Sequence, residues 1–242
     1  MHLGGFDAEG NARLEQDTAS LIRHCTDCGI DLVIHGDLFD YWMEVPGRMP
    51  DLGRPVRDAV RAHAARYGPV RMVSGNHDNW MLGGLASEGF ATQSESLSLR
   101  IDGRRVMVLH GDGLADPAFG FPRPLWHRFI RHPAFYRLYR ILPHAWALDI
   151  MRRVSLVRRR GGPDPAETRR LDAWVEAGLR SGLADVVIAG HIHETRHRQI
   201  EGSEYLNPGA FHLTRTAVLH NGTGFRIVVW NATESRLEPF DD

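Results

Sequence analysis

A chain of 242 residues can bury a sizeable core, and 43% apolar with 24% charged residues is an ordinary globular composition. No apolar run approaches the ~20 residues that span a bilayer, and the first twenty residues lack a signal peptide's basic start and apolar centre. Cys25 and Cys28 are too few for a disulfide framework, so the composition predicts a cytoplasmic protein. The net charge of −1 conceals an asymmetry: all 29 basic residues are Arg, and ten of them share residues 117–160 with one acid, Asp149. A basic block in an otherwise acidic chain points to an anionic partner, or else to a solvated helical surface.

In chain order, residues 11–28 and 54–67 space their apolar positions as helices do, and so does 166–182 after Asp164-Pro165. Four short runs rich in Val, Ile, Leu and Met read as buried strands: "IDLVIHGD" (30–37), "PVRMVSGNHD" (69–78), "RVMVLHGD" (105–112) and "DVVIAGHIH" (185–193). Between the third and fourth, Pro133 and Pro143 cut residues 117–160 into three expected helices. These interleave Arg with aromatics such as Trp126, Phe129, Tyr136 and Trp146. An apolar face with a cationic rim suits an interfacial cap. The last third, with "EYLNPGAF", "TAVLHN" and "FRIVVWN" separated by Asn-Pro-Gly and Asn-Gly turns, reads as strands. The expected class is α/β, layered, with mixed β-sheets flanked by helices.

Each of the four core strands runs into polar residues: Gly36-Asp37, Gly75-Asn76-His77-Asp78, His110-Gly111-Asp112 and Gly190-His191-Ile192-His193. In open α/β sheets the carboxyl ends of strands converge on a site, so clusters scattered in sequence meet in space. His, Asp and Asn without thiolate suit Mn, Fe or Zn. Five donors exceed one closed tetrahedral site, and an Asp able to bridge favours a two-metal centre. Such a centre activates a bridging hydroxide and clamps an in-line displacement at phosphorus. Cys25-x-x-Cys28 has no second pair and reads as a structural feature of a helix face.

The ordered set "GDLFD … GNHD … HGD … GHIH" resembles the calcineurin-like metallophosphoesterases along nearly the whole chain. That resemblance implies a layered metallophosphoesterase sandwich, one domain over 1–242 with a helical lid inserted at about 113–165. It implies that Asp37 bridges two divalent ions, with Asn76, His110 and His191 completing one site and His2 and His193 belonging to the other. His77 then steadies phosphoryl oxygens or protonates the leaving group, oriented by Asp78. Asp40 is read as a brace of its loop. The family's first motif is Asp-x-His, so the resemblance places an Asp and an apolar strand before Met1. The family's first strand is then missing from this chain, and Met1 reads either as an internal methionine or as a true start that leaves one metal site weakened.

"HLGG", "GDLFDYW" and the Arg- and aromatic-rich insertion after "HGD" resemble the UDP-2,3-diacylglucosamine hydrolases of lipid A biosynthesis, although His77 stands where their best-known branch has Arg. This resemblance implies hydrolysis of the UDP-sugar diphosphate to UMP and an acylated glucosamine 1-phosphate. It also implies two divalent ions, foremost Mn2+, and a peripheral position on the inner face of the membrane. No nucleic acid polymer is expected as a partner. Arg152, Arg153 and Trp126 are the candidate substrate contacts, with solvated Arg as the plainer reading. The competing functions are a phosphoesterase of the same fold acting on nucleotides or generic diesters, and a binding module with weakened catalysis.

Overall fold

The computed structural model describes residues 1–45, 48–159 and 164–240. Residues 160–163 of the expected insertion, with Arg160 of the basic block, lie outside them. Helix α1 (Ala8–Cys28) starts where the Asp7 carboxylate accepts from Gly10 N–H and stops at Gly29 in the left-handed region. Strand β1 (Val33–Ile34), α2 (Arg54–Tyr67), β2 (Val70–Val73) and β3 (Phe90–Gln93) follow, and β1-β2-β3 form a parallel three-stranded sheet. Next come β4 (Ser96–Ile101) and β5 (Arg104–Leu109), then three helices, α3 (Leu125–Ile130), α4 (Pro133–Tyr139) and α5 (His144–Arg159). Helix α6 (Pro165–Arg180), capped by Asp164, leads into β6 (Val186–Ala189), β7 (Thr195–Ile200) and β8 (Ser203–Pro208). The second sheet has order β4-β5-β6-β8-β7, with parallel pairs at its centre and antiparallel pairs at both edges. A short α7 (Phe211–Thr214) precedes β9 (Thr216–His220), β10 (Phe225–Asn231) and β11 (Arg236–Pro239), which form an antiparallel sheet.

Period-two alternation along the strands builds the layers. In β5, Val106 and Val108 join Val73 of β2, Val186 and Ile188 of β6, and Phe225 and Ile227 of β10 in one core, while Met107 and Leu109 face Leu171 and Val175 of α6. In β2, Val73 enters that same core, and Val70 and Met72 pack under α1 and α2 with Leu14, Ile22 and Val60. Burial of this order contributes roughly 25 cal/mol per Å² of apolar surface. The fold class is thus the expected one: mixed sheets in an α/β sandwich, with the three helices inserted between β5 and α6.

All four runs expected as core strands are strands, and each motif begins where its ladder ends. They belong to two sheets rather than one, so the motif loops of β1 and β2 face those of β5 and β6. Cys25 is buried and Cys28 exposed, both free, and burial pushes the Cys25 thiol up to about 12.

Candidate metal centre

Strand geometry delivers the motifs, but it is the turns after the strands that aim the side chains. His2, Asp37, His191 and His193 all lie in the left-handed region, with φ of 67°, 50°, 69° and 56°. That conformation is disfavoured for side-chain-bearing residues, and such strain gathers at functional sites. Glycines make the close approach feasible. A Cβ on Gly36 would lie 2.6 Å from His110 Nδ1, and one on Gly75 would overlap Asp37 Oδ1.

Asp37 is at the centre. Its Oδ2 lies 3.3 Å from His110 Nε2 and 3.8 Å from His2 Nε2, and its Oδ1 accepts from His77 N–H at 3.0 Å. One carboxylate oxygen therefore faces both expected ligand groups. On one side, His110 Nε2 is 3.0 Å from Asn76 Oδ1, and the His110 and His191 rings are 5.1 Å apart. On the other, His2 Nε2 is 3.1 Å from His193 Nε2. The structure thus brings together the six residues expected as ligands. Ring nitrogens, one amide oxygen and one carboxylate form a donor set that fits divalent cations.

Electrostatics agree with this fit. Burial holds His2 well below the usual imidazole value and His193 at about 4, so both stay neutral, as ligation requires. Burial alone would raise Asp37, yet His110 and His77 outweigh it and hold the carboxylate well below its usual value. His110 moves the other way: burial would lower it, but Asp37 raises it above the ordinary value. Its Nδ1 sits 3.2 Å from the His35 carbonyl, which orients the ring with Nε2 toward Asp37.

One expected role is corrected. Asp78 does not orient the His77 ring: its carboxylate accepts backbone N–H groups from Gly75, Asp37, Leu38 and Phe39 and so ties two motif loops together. Burial and the Asp37 charge push Asp78 up to about 6. The His77 Nδ1 is instead 2.8 Å from the main-chain carbonyl of Asp40, and the Asp40 carboxylate is 3.8 Å from it. That carboxylate is also 3.2 Å from His2 Nδ1. His2, Asp40 and His77 offer ligand atoms within 4.8 Å of one another. Asp40, read as a loop brace, therefore also orients two site histidines.

Glu167 escaped sequence reasoning, and Asp112, named in its strand-end cluster, was given no role. Glu167, in the first turn of α6, is 3.2 Å from His191 Nε2. Asp112 is the most elaborately paired carboxylate near the site, with Arg131 at 3.1 Å, His127 at 3.3 Å and Arg123 at 3.6 Å. The motif "HGD" was the available signal for Asp112. Glu167 carried none beyond its place in a helix start.

With the geometry in hand, the comparisons are specific. The calcineurin-like phosphoesterase family matches residues 14–195, three-quarters of the chain. This chain belongs to that family. Calcineurin-like phosphoesterases use divalent metals, in keeping with the donor set, and the matched segment carries Asp37, Asn76, His77, His110, His191 and His193. Among curated relatives, UDP-2,3-diacylglucosamine hydrolase of Photorhabdus laumondii is 27% identical over 187 residues, covering 73% of this chain and 75% of its own. The protein of the same name from Nitrosococcus oceani is 26% identical over 212 residues, covering 84% and 80%. Among solved structures, vacuolar protein sorting 29 of Cryptosporidium parvum aligns with a TM-score of 0.40 at 14% identity, covering 86% of this chain and 79% of that one. An archaeal phosphodiesterase aligns with a TM-score of 0.40 at 15% identity, covering 92% and 89%.

The phosphoesterase's candidate substrate contacts separate in space. Trp126 is 43% exposed on α3, its ring 5.6 Å from that of Phe129. Arg152 on α5 acts electrostatically on Tyr41 of the "GDLFDYW" loop, whereas Arg153 pairs with Asp149 in solvent at 2.8 Å. Both Arg side chains are exposed, with Arg152 the nearer to the "GDLFDYW" loop.

Proposed function

We propose that this phosphoesterase hydrolyses the diphosphate of UDP-2,3-diacylglucosamine, giving UMP and acylated glucosamine 1-phosphate. The observation that carries the reading is a buried His/Asp/Asn centre directly beside three helices whose outer faces are apolar. Leu125 of α3, Leu138 of α4 and Trp146 of α5 are 81%, 63% and 69% exposed. A diphosphate needs the first feature and two acyl chains need the second. The names of the curated relatives support the same substrate.

Asp37, Asn76, His110 and His191 would hold one divalent ion, and Asp37, His2 and His193 the other; the donors suit Mn, Fe or Zn, with Mn2+ foremost by the family resemblance. Ions so held supply Lewis-acid stabilisation of phosphoryl charge and acidify water. The rest of the chemistry lies with the chain. Water attacks the α-phosphorus in line, and the bond from that phosphorus to the bridging oxygen breaks. The His77 ring, held by its Nδ1 on the Asp40 carbonyl, would steady the phosphoryl oxygens or protonate the leaving group. The helices form a lid over the acyl chains, and Arg152 meets the anionic head group. Their exposed apolar and Arg side chains hold the protein on the cytoplasmic face of an anionic inner membrane. Among the described residues no helix is long and apolar enough to cross a membrane, which fits peripheral attachment.

The test is release of UMP from UDP-2,3-diacylglucosamine by Mn2+-loaded protein, beside hydrolysis of bis(p-nitrophenyl) phosphate. Release of UMP at a kcat/KM far above that for the generic diester is expected. Turnover of the diester alone would move the protein to another substrate. Absence of both metal and turnover would make it a binding module.

A further inference from the structure

Asp112 has no part in the chemistry above, yet it is 1% exposed, and three side chains from the start of the helical insertion converge on it. Arg131 contacts Asp112 Oδ2 at 3.1 Å and also donates to the Gly75 carbonyl at 2.8 Å and to Ser74 Oγ at 3.3 Å. Arg131 thus joins the "HGD" loop, the "GNHD" loop and the junction of α3 and α4. His127 of α3 is completely buried, with Nδ1 3.3 Å from Asp112 Oδ2 and its ring 5.9 Å from that of His191. Arg123 lies 3.6 Å from the same oxygen and is neutralised on its far side by Glu95 at 2.9 Å. The returning arm of the insertion reaches the same point. Arg170 of α6 donates to the Pro122 carbonyl at 2.6 Å and to the Asp112 carbonyl at 3.4 Å.

Leu114 and Phe121, before the helices, pack against α6, Phe121 stacking on Trp174 at 4.7 Å, but among the described residues the three helices themselves meet the body through few buried side chains. Tyr139 and Ala147 pack against Met43 and Trp80, and Tyr136 stacks on Trp80 at 4.8 Å. Such contacts alone leave the two short helices α3 and α4, and α5 beyond them, weakly held. A buried carboxylate with several cationic partners fixes position and orientation, because losing one partner leaves uncompensated buried charge. We propose that Asp112 is a positioning residue: through Arg131, His127 and Arg123 it clamps the insertion in register with the motif loops and thereby sets the selectivity for an acylated substrate. The anchor stands on the geometry; the selectivity rests in addition on the proposed function.

Two variants approach the contact from opposite sides, Asp112→Asn and Arg131→Gln, so that the second serves if the first does not fold. Hydrogen exchange of the full-length protein should rise about tenfold or more across 123–153 in either variant. Exchange in α1 and α2, remote from the contact, should stay at the wild-type rate and report an intact fold. The ratio of kcat/KM for UDP-2,3-diacylglucosamine to that for bis(p-nitrophenyl) phosphate should fall roughly tenfold, chiefly through KM for the acylated substrate. Unchanged exchange in the insertion overturns the anchor. Loosened exchange with an undiminished substrate ratio overturns the control of selectivity. If the wild-type protein shows no preference for the acylated substrate, the proposed function fails, and the exchange measurement still decides whether Asp112 is the anchor.

Discussion

The motif loops and the inserted helices meet at Asp112, yet they invert the usual distribution of polarity in opposite directions. Around the motif loops, polar groups are inside: Asp37, Asp40, Asn76, Asp78, His110 and Asp112 are all buried. On α3, α4 and α5 the apolar groups are outside, with Leu125, Phe129, Leu138, Trp146 and Ile150 all exposed. Each arrangement is unfavourable taken alone. Buried charge must be paired or hold cations, and a contiguous exposed apolar face calls for a surface to cover it. On the proposed function, the contrast separates a region that receives cations and phosphate from one that receives hydrocarbon.

The sharpest way to break this contrast is Asp37→Ala. Because one carboxylate faces both ligand groups, the variant should lose Mn2+ stoichiometry and more than about a thousandfold in turnover. Retained binding of two ions would remove the central role of Asp37. Next in size is the difference between buried and exposed tryptophans. Trp42 is completely buried, stacks on Phe39 at 4.1 Å and bonds Glu44, so Trp42→Ala should destabilise by about 3–5 kcal/mol in urea unfolding. Trp146→Ser should stay within about 0.5 kcal/mol of wild type but weaken binding to vesicles containing anionic lipid. Equal loss of stability in both would show that the inserted helices are packed like the core.

A third effect concerns pH. Asp37 raises His110 above the ordinary imidazole value, so in metal-free protein this pair stabilises the fold below that value and fades as pH rises through the raised one. A bound cation must displace that proton. Mn2+ affinity should therefore fall as the solution is acidified below neutrality, with protons released on binding. Calorimetry in two buffers of different ionisation enthalpy reads the release, and its absence would count against ligation by His110. The smallest effect is expected at Arg153, paired in solvent with Asp149: Arg153→Ala should change KM by less than about twofold, whereas Arg152→Ala should raise it severalfold.

Much of the fold was legible because the strongest local signals coincide with buried elements. The runs at "PVRMV" and "DVVIA" became β2 and β6, and 54–67 became α2 with matching bounds. Strands β3, β4, β7 and β11 were not foreseen. Their stretches, such as "FATQ" and "TRHRQI", are half-exposed and polar, so only pairing with a neighbour makes them strands. In the site, the motif histidines and Asp37 were legible by type and order. Glu167 and the true partner of the His77 ring were not, because a helix-start Glu and a main-chain carbonyl have no distinctive sequence signal.

By itself, the amino-acid sequence determined which residues offer metal-ligating donors, where the strands that carry them end, and that one Arg- and aromatic-rich stretch interrupts them. These follow from local chemistry and hydrophobic period. Only the tertiary structure decided that the motif loops come from two facing sheets, that Asp78 ties loops while Asp40 holds histidines, and that Asp112 joins the insertion to the centre. Those assignments depend on distances of 3–4 Å between residues far apart in the chain. Local propensity carries no information about such contacts; the packing of two sheets creates them.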